Sequence, residues 1–429
     1  MLKMKNHNHE LLIFLTFFLL ISIGTAALKM PFVRHSQAVS LLDALFIATS
    51  ATCVTGLTTI PTSGFNILGQ LIILALIQIG AIGIMTLTAS FILFFRGDLD
   101  FKNRMMMTQL SVSPKLSNVE GVLQTVVSFT IITEAIGFLF LAIGFHIDGF
   151  SLPASMYHAL FHTISAFCNA GFSTFDSSLQ HTNYLVQIVV MILIVMGGIG
   201  YYVVFDCLEY VRKKDRLTIH TKIVMLATFA SIISGALLLG LAENGRLSPL
   251  GAVFQSVTAR TAGFNTVNIY DLQALSLLVL IILMIIGAAP GSTGGGMKLT
   301  TLWVIVSRVY NTIRGRQHLV IFNRQVPREN VFRAFTVATI YLLFLVCGVS
   351  CLLYFEGRDF LGTLFEMTSA IGTVGLSVGL TPEFGAAGKI ILIAGMLGGR
   401  VGPAVLVLML LRPKESSHVE YPTEKLILG

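Results

Sequence analysis

Phe161-His-Thr-Ile-Ser-Ala-Phe-Cys-Asn-Ala-Gly-Phe-Ser173 ends a short apolar run near 155–166. Two other stretches share its build: Phe46-Ile-Ala-Thr-Ser-Ala-Thr-Cys-Val-Thr-Gly56-Leu-Thr and Phe365-Glu-Met-Thr-Ser-Ala-Ile-Gly-Thr-Val-Gly375-Leu-Ser. In all three, Phe precedes Gly by ten positions, Ser-Ala lies six and five before it, and a large apolar residue follows. A fourth, Phe254-Gln-Ser-Val-Thr-Ala-Arg-Thr-Ala-Gly263-Phe-Asn, is one residue shorter between Phe and Gly, which leaves its internal pairing open. A single such glycine would point to close helix packing through small residues. Four with the same flanks point to a repeated functional element.

Each motif follows an apolar run near 40–50, 155–166, 249–259 or 360–370, too short to cross a bilayer and best read as a re-entrant half-helix. Longer apolar runs flank them, near 11–28, 66–95, 120–145, 183–206, 222–242, 272–306, 333–355 and 386–411. The expected fold is an all-α polytopic membrane protein of four tandem helix–re-entrant helix–helix units, 1–115, 116–215, 216–325 and 326–429. Each unit crosses twice, so all four enter from one side and gather about an axis along the membrane normal. Lys3 and Lys5 before the first run and Thr25-Ala26-Ala27 after it also fit a cleaved signal peptide; seven further spans favour an uncleaved helix.

Composition agrees. Hydrophobic residues make up 55% of the 429 and charged residues only 11%, with a mean hydropathy of +0.83. Soluble domains carry about 25% charged residues, so a soluble enzyme is disfavoured, as are a disordered scaffold and a secreted disulfide module. The five cysteines show no paired or zinc-like spacing. The net charge of +7 is loop charge: with the N-terminus inside, 20 of the 28 Lys and Arg fall on cytoplasmic segments, and only Lys29, Arg34, Arg246 and Arg358 on outer connections. That asymmetry puts both termini in the cytoplasm and needs no nucleic acid.

Exposed backbone at membrane depth is tolerated only against protein or a water-filled path. Four glycine-centred strands on one axis would form a ring of carbonyl oxygens able to replace the hydration shell of a monovalent cation. The expected ring comprises Thr52, Val54, Thr55 and Gly56; Asn169, Ala170 and Gly171; Thr261, Ala262 and Gly263; and Thr373, Val374 and Gly375. Negative C-terminal ends of the half-helices would favour the cation further. Thr373-Val374-Gly375 resembles the opening of the potassium-channel filter sequence.

The chain resembles the Trk/Ktr/HKT superfamily of potassium transporters, most closely the Ktr-type membrane subunit. The likeness runs from about Leu11 to the C-terminus and rests on Ala51-Thr-Cys-Val-Thr-Gly-Leu57, Phe161–Ser173, Arg260-Thr-Ala-Gly-Phe-Asn265 and Gly372-Thr-Val-Gly-Leu-Ser377. It continues through Gly385-Ala-Ala-Gly-Lys389 and Gly399-Arg-Val-Gly-Pro403. It implies potassium uptake, with sodium dependence in some members. It also implies homodimeric membrane subunits under a cytoplasmic ring of nucleotide-binding regulatory subunits. No cofactor is then expected in this chain, and a nucleotide only on the partner. Cys53 and Cys168, three before their glycines, depart from the pattern and bear on fine selectivity.

The sixth span breaks at Ile286-Gly-Ala-Ala-Pro-Gly-Ser-Thr-Gly-Gly-Gly-Met-Lys298. Gly287, Gly291, Gly294, Gly295, Gly296 and Pro290 cannot sustain a regular helix. About 25 residues beyond Gly263, this loop should lie just cytoplasmic of the ring. It is a candidate gate, which the family likeness supports; a kink that eases packing is the alternative. Phosphate binding is disfavoured, because Gly-Lys-Ser/Thr after a strand is missing. Lys298 closes the loop. Arg400, inside the last span, needs a partner: it either braces the loop through carbonyls below the ring or pairs with a carboxylate such as Glu134 or Asp206.

His158 and His162 stand four apart with no third ligand in view, which makes them structural. Arg260 should point away from the axis toward Asp43 or Glu366. No soluble domain of any size is present; the longest polar stretch runs from Arg308 to Arg333 and suits an acidic partner or anionic lipid. The rival functions are a sodium-coupled symporter with alternating access and a membrane-embedded enzyme or structural protein, the last disfavoured by the lack of a catalytic constellation.

Overall fold

The computed structural model describes residues 7–34, 39–94, 119–213 and 216–402. The basic residues at 3, 5, 96–115, 214 and 412–425 lie outside that range, so the orientation they imply is not addressed by the fold. Within it the chain is mostly helical. His7–Leu28 (α1), Leu41–Thr52 (α2) and Ile67–Phe94 (α3) form a first long–short–long group. Val119–Ile147 (α4), Leu152–Phe167 (α5) and the pair Tyr184–Ile199 and Tyr201–Lys213 (α6, α7) form a second. The third holds Ile219–Ala242 (α8), Pro249–Thr258 (α9), and Ala274–Ile285 with Leu299–Ile313 (α10, α11); the fourth holds Arg328–Glu356 (α12), Phe360–Gly372 (α13) and Ala386–Val401 (α14).

The short helices start for local reasons. Each opens on a polar N-cap, Ser40, Ser151, Ser248 or Asp359, and three of these side chains accept a bond from the N–H three residues on. Pro153 and Pro249 occupy the first turn of α5 and α9, where proline costs no hydrogen bond. The motif phenylalanines Phe46, Phe161, Phe254 and Phe365 are all buried. The long helices instead turn apolar side chains outward, among them Ile131, Leu139 and Ile143 on α4, Phe229, Ile233 and Leu237 on α8, and Leu342, Leu343 and Val346 on α12. Such continuous apolar faces suit lipid, not water.

Each short helix packs on the two long helices of its own group: α2 on α1 and α3, α5 on α4 and α6, α9 on α8 and α10, α13 on α12 and α14. The second long helix of each group also reaches the next short helix: α3 meets α5, α6 meets α9, α10 meets α13, and α14 meets α2. The last contact closes the circle.

Among the described residues, three helices are long and apolar enough to span a membrane alone, at Thr125–Ile147, Ile219–Ala242 and Arg328–Glu356. Counted as one broken span, the bent pair α6–α7 would make a fourth. Eight spans were expected. The described apolar stretches of three others are shorter, at Leu15–Leu28, Ile67–Gly83 and Ala274–Ile285. The expected straight span at 183–206 turns by 90° at Gly200, which sits at φ +90. The sixth breaks between Ile285 and Leu299, and α14 ends before Gly402, at φ +96, with the rest of the expected run, 403–411, outside the described residues. Among the described residues one two-stranded hairpin forms: Val320–Ile321 (β1) pairs antiparallel with Arg324–Gln325 (β2). Its two-residue turn, Phe322–Asn323, has both residues in the left-handed region, as the tight hairpin requires.

Three glycines let the second long helices press onto the short ones. A Cβ on Gly80 would run into the Thr52 carbonyl, one on Gly197 into Phe167 O, and one on Gly399 into Ile371 O. Backbone cannot yield as a flexible side chain can. Gly197→Ala and Gly399→Ala are therefore expected to cost about 1–3 kcal/mol each, whereas Gly240→Ala on α8, with open space around it, is not. Heat denaturation of the purified protein in detergent checks this; equal stability of all three variants would contradict the packing.

Candidate functional site

At the C-terminal end of every short helix the chain turns extended in the same way. The residue two before the motif glycine is left-handed: Val54 at φ 56, Asn169 at 60, Thr261 at 89 and Thr373 at 47. The glycines themselves lie at φ 95, 71, 80 and 92 for Gly56, Gly171, Gly263 and Gly375. Left-handed backbone costs a non-glycine residue roughly 1–2 kcal/mol, so four such residues at one place require surrounding structure to hold them.

Serine or threonine in the last helical turn supplies the hold. Ser50 O accepts from Thr55 N at 2.8 Å, Ser165 O from Ala170 N at 2.8 Å, and Ser369 O from Val374 N at 2.9 Å. Thr258 O accepts from Ala262 N at 2.9 Å. The Ser50 and Ser369 hydroxyls also accept from Gly56 N and Gly375 N, both at 3.0 Å. Those of Ser165 and Thr258 donate to Phe172 O at 2.8 Å and Phe264 O at 2.6 Å. This settles the pairing in the third motif: Phe254 stands four before Thr258, as Phe46 stands before Ser50, and the missing residue falls after the helix.

The four segments meet. A Cβ on Gly56 would collide with Ala170 O, on Gly171 with Ala262 O, on Gly263 with Val374 O, and on Gly375 with Thr55 O. Each such Cβ would also lie only 2.9–3.3 Å from the next glycine's Cα. Carbonyls of the residues just before the glycines thus abut the neighbouring segment in the closed order 56, 171, 263, 375, 56. Only glycine fits at these points, for the positive φ and the lack of room together. The hydroxyls of Thr52, Thr55, Thr261 and Thr373 are buried without a protein partner. A cavity of about 420 Å³ opens over Gly56 and Gly375, lined by Thr58, Asn268, Tyr270, Ser377 and Glu383 among others.

Against this ring lies the 286–298 loop. Gly287 N donates to Met297 O at 2.9 Å and Leu299 N to Ala288 O at 3.2 Å, which tie its two ends together. Cβ atoms on Gly294 and Gly295 would strike the hydroxyls of Thr261 and Thr373. Pro290 and Gly291 sit against the α6–α7 corner, where Tyr201 N donates to Gly291 O at 3.1 Å. Gly296 has φ 69. Lys298 Nζ donates to Gly294 O at 2.8 Å.

Buried Arg400 donates through Nη1 to Thr293 O and through Nη2 to Gly80 O at 3.2 Å. It bridges the loop and α3 through carbonyls. The carboxylates weighed as alternatives are engaged elsewhere: Glu134 with Gln78 Nε2 at 3.0 and 3.3 Å, and Asp206 with the Thr218 N–H and hydroxyl. Arg260 also lacks its expected carboxylate. Its Nη2 donates to Thr228 Oγ1 at 3.4 Å, while Asp43 pairs with Lys389 at 2.8 Å and Glu366 accepts from Ser377, Val378 and Thr381. Arg260 leans on the first long helix of its own group rather than reaching its neighbours, a packing outcome that residue spacing does not encode. His162 bonds His158 O and Ser173, and His158 meets Thr174 within a cluster of phenylalanines. No metal-binding group of three acidic, His or Cys residues occurs among the described residues.

Sequence reasoning named the Ser-Ala of the motif without the bonds that Ser50 and Ser369 make, and missed Thr293 and the close packing at Gly80, Gly197 and Gly399. Its signal was available: these glycines follow Gly56, Gly171 and Gly375 by 24, 26 and 24 residues, and Gly287 follows Gly263 by 24.

Residues 3–419 match the family model TrkH, described as a cation transport protein. The chain is 36% identical over 428 residues to Ktr system potassium uptake protein B of Bacillus subtilis, covering 96% of this chain and 95% of that one. It is 34% identical over 434 residues to potassium/sodium uptake protein NtpJ of Enterococcus hirae, covering 96% and 95%. The crystal structure of the potassium transporter TrkH from Vibrio parahaemolyticus has the same fold, with a TM-score of 0.73 at 22% identity over 95% of this chain and 86% of that one. These relatives are transport proteins rather than enzymes, and this chain belongs to the TrkH family of cation transport proteins.

Proposed function

We propose that this chain is the ion-translocating subunit of a Ktr-type potassium uptake system, a multi-pass plasma-membrane protein with both termini in the cytoplasm. Its four groups act as tandem pore repeats about one pseudo-fourfold axis, and the constriction where their glycine segments meet is a selectivity filter for potassium, the substrate. The observation that carries this is the closed circle of four positive-φ glycines, each abutting the carbonyl of the next segment. Carbonyls arranged so can stand in for the water that an entering ion sheds. Thr52, Thr55, Thr261 and Thr373, whose buried hydroxyls lack protein partners, border the wetted path. The relatives' names supply the ion.

The loop from Gly287 to Lys298 is the gate. It lies against the filter threonines, and Arg400 adds both a positive barrier and a brace through Thr293 O. Relatives named for a Ktr system support a partner component; here it is a cytoplasmic nucleotide-binding ring beneath a homodimer of this chain. The nucleotide belongs to that partner, and the chain itself needs no cofactor. The name of the Enterococcus hirae relative keeps sodium in view, as an activator or a coupled ion. Potassium flux that stops entirely without sodium would favour symport over a filter-limited path.

Potassium and sodium flux into proteoliposomes tests the filter. Alanine at Gly56, Gly171, Gly263 or Gly375 is expected to lower potassium flux or the potassium-over-sodium preference about tenfold or more, the effect of roughly 1.4 kcal/mol at a site. Indifference at all four would reject the ring. Arg400→Ala is expected to raise basal uptake with the ion preference kept, because it removes a brace of the loop and not a filter carbonyl. Unchanged uptake in cells that depend on this transporter would sink the gate assignment.

A further inference from the structure

The gate loop is not held evenly along its length. From Ala289 to Thr293 it is fastened to the second group. Ala289 N donates to Gly198 O at 3.1 Å, Thr293 N to Gly197 O at 3.2 Å, and Tyr201 N to Gly291 O at 3.1 Å. The Thr293 hydroxyl donates to Phe167 O at 3.2 Å and lies 3.1 Å from the Asn169 amide. Gly200, at φ +90, lets the α6–α7 corner come so near that its Cβ would lie 2.6 Å from Pro290 O. The next three residues differ. Among the described hydrogen bonds, the Gly294–Gly296 backbone takes part in one, from Lys298 Nζ to Gly294 O. This triplet is the part that rests on the Thr261 and Thr373 hydroxyls.

We infer that Thr293 is a positioning residue that divides the loop, and that only Gly294–Gly296 swings during opening. Residues 289–293 stay with the second group as a fixed post, anchored to the short helix α5, the Asn169 segment and α6. The triplet between Thr293 and Met297 is all glycine, free of side chains that would obstruct a swing and with the widest choice of backbone angles. Moving it breaks one hydrogen bond; withdrawing the whole loop breaks the entire set at Ala289, Gly291 and Thr293. Arg400, bonded to Thr293 O, acts on the triplet through the post. This inference rests on the gate assignment above and narrows it to three residues.

A disulfide separates the two motions. A Cβ built on Gly198 lies 3.9 Å from the Ala288 Cβ, inside the range of about 3.5–4.5 Å that a disulfide needs. The variant Gly198→Cys/Ala288→Cys is made with Cys207, Cys347 and Cys351 changed to Ser, and cross-linking is verified by mass spectrometry. Potassium flux in proteoliposomes is then compared between oxidised and reduced samples of the same variant. The expected result is equal flux within about twofold, a margin well under the tenfold that 1.4 kcal/mol represents. Flux abolished by oxidation and restored by reductant would overturn the inference, since the whole loop would then have to leave.

A second measurement serves if the double variant does not transport when reduced. Thr293→Val, which keeps the shape and removes the hydroxyl, is expected to raise basal flux severalfold, and Thr293→Ser to return it to the closed level. No change with Val, or no rescue with Ser, would overturn the positioning role. Absence of potassium flux from the unmodified protein would instead defeat the proposed function, so the two failures are distinguishable.

Discussion

Backbone that leaves a helix inside a protein interior has polar groups that must find partners, and this chain meets that demand four times around one circle. Each short helix ends within the protein, and the carbonyls beyond it press on the glycine of the neighbouring segment. The pairing runs around a closed circle, so no segment can shift without moving the next. Buried phenylalanines fix the helices, and serines or threonines of the last turn fix the strands. The left-handed residues Val54, Asn169, Thr261 and Thr373 hold because both devices act on them together.

Beneath the circle the four groups cease to be alike. The first keeps an unbroken α3, the second turns sharply at Gly200, the third opens into the glycine-rich loop, and the fourth ends its helix before Gly402. The difference in shape is also a difference in bonding. The bend in the second group presents Gly197, Gly198 and Tyr201 as hydrogen-bond partners, and the loop of the third group uses all three. Arg400 of the fourth and Gly80 O of the first complete the enclosure. The loop thus contacts the second and fourth groups directly and is linked to the first through Arg400.

Much of this was legible beforehand because it depends on local spacing. Phe ten before Gly, with Ser-Ala between, places one buried ring, one capping hydroxyl and one positive-φ residue at set intervals on a short helix, and those intervals survive in any packing. The break at 286–298 was legible for the same reason, since Pro290 and five glycines defeat a helix wherever it lies. The bend at Gly200 was not. One glycine after Gly197-Gly198-Ile199 in an apolar run looks the same whether the helix continues or turns, and the turn is decided by the Gly291 carbonyl it meets. The Phe322–Asn323 turn escaped notice because it lacks the usual glycine.

The partners of the buried charges mark the limit most sharply. By itself the sequence determined that Arg260 and Arg400 stand in apolar surroundings and require compensation. It also determined four strands, their glycines and an interrupted span, because composition and periodicity act within a few residues of chain. Which groups compensate the charges was decided only by tertiary structure. Arg400 bonds carbonyls on two distant segments, Thr293 and Gly80, and Arg260 bonds Thr228 in place of either candidate carboxylate. Hydrogen bonds of that kind join residues more than 30 positions apart, up to 320 in the chain. Their geometry exists only after the helices have packed, so no local pattern records it.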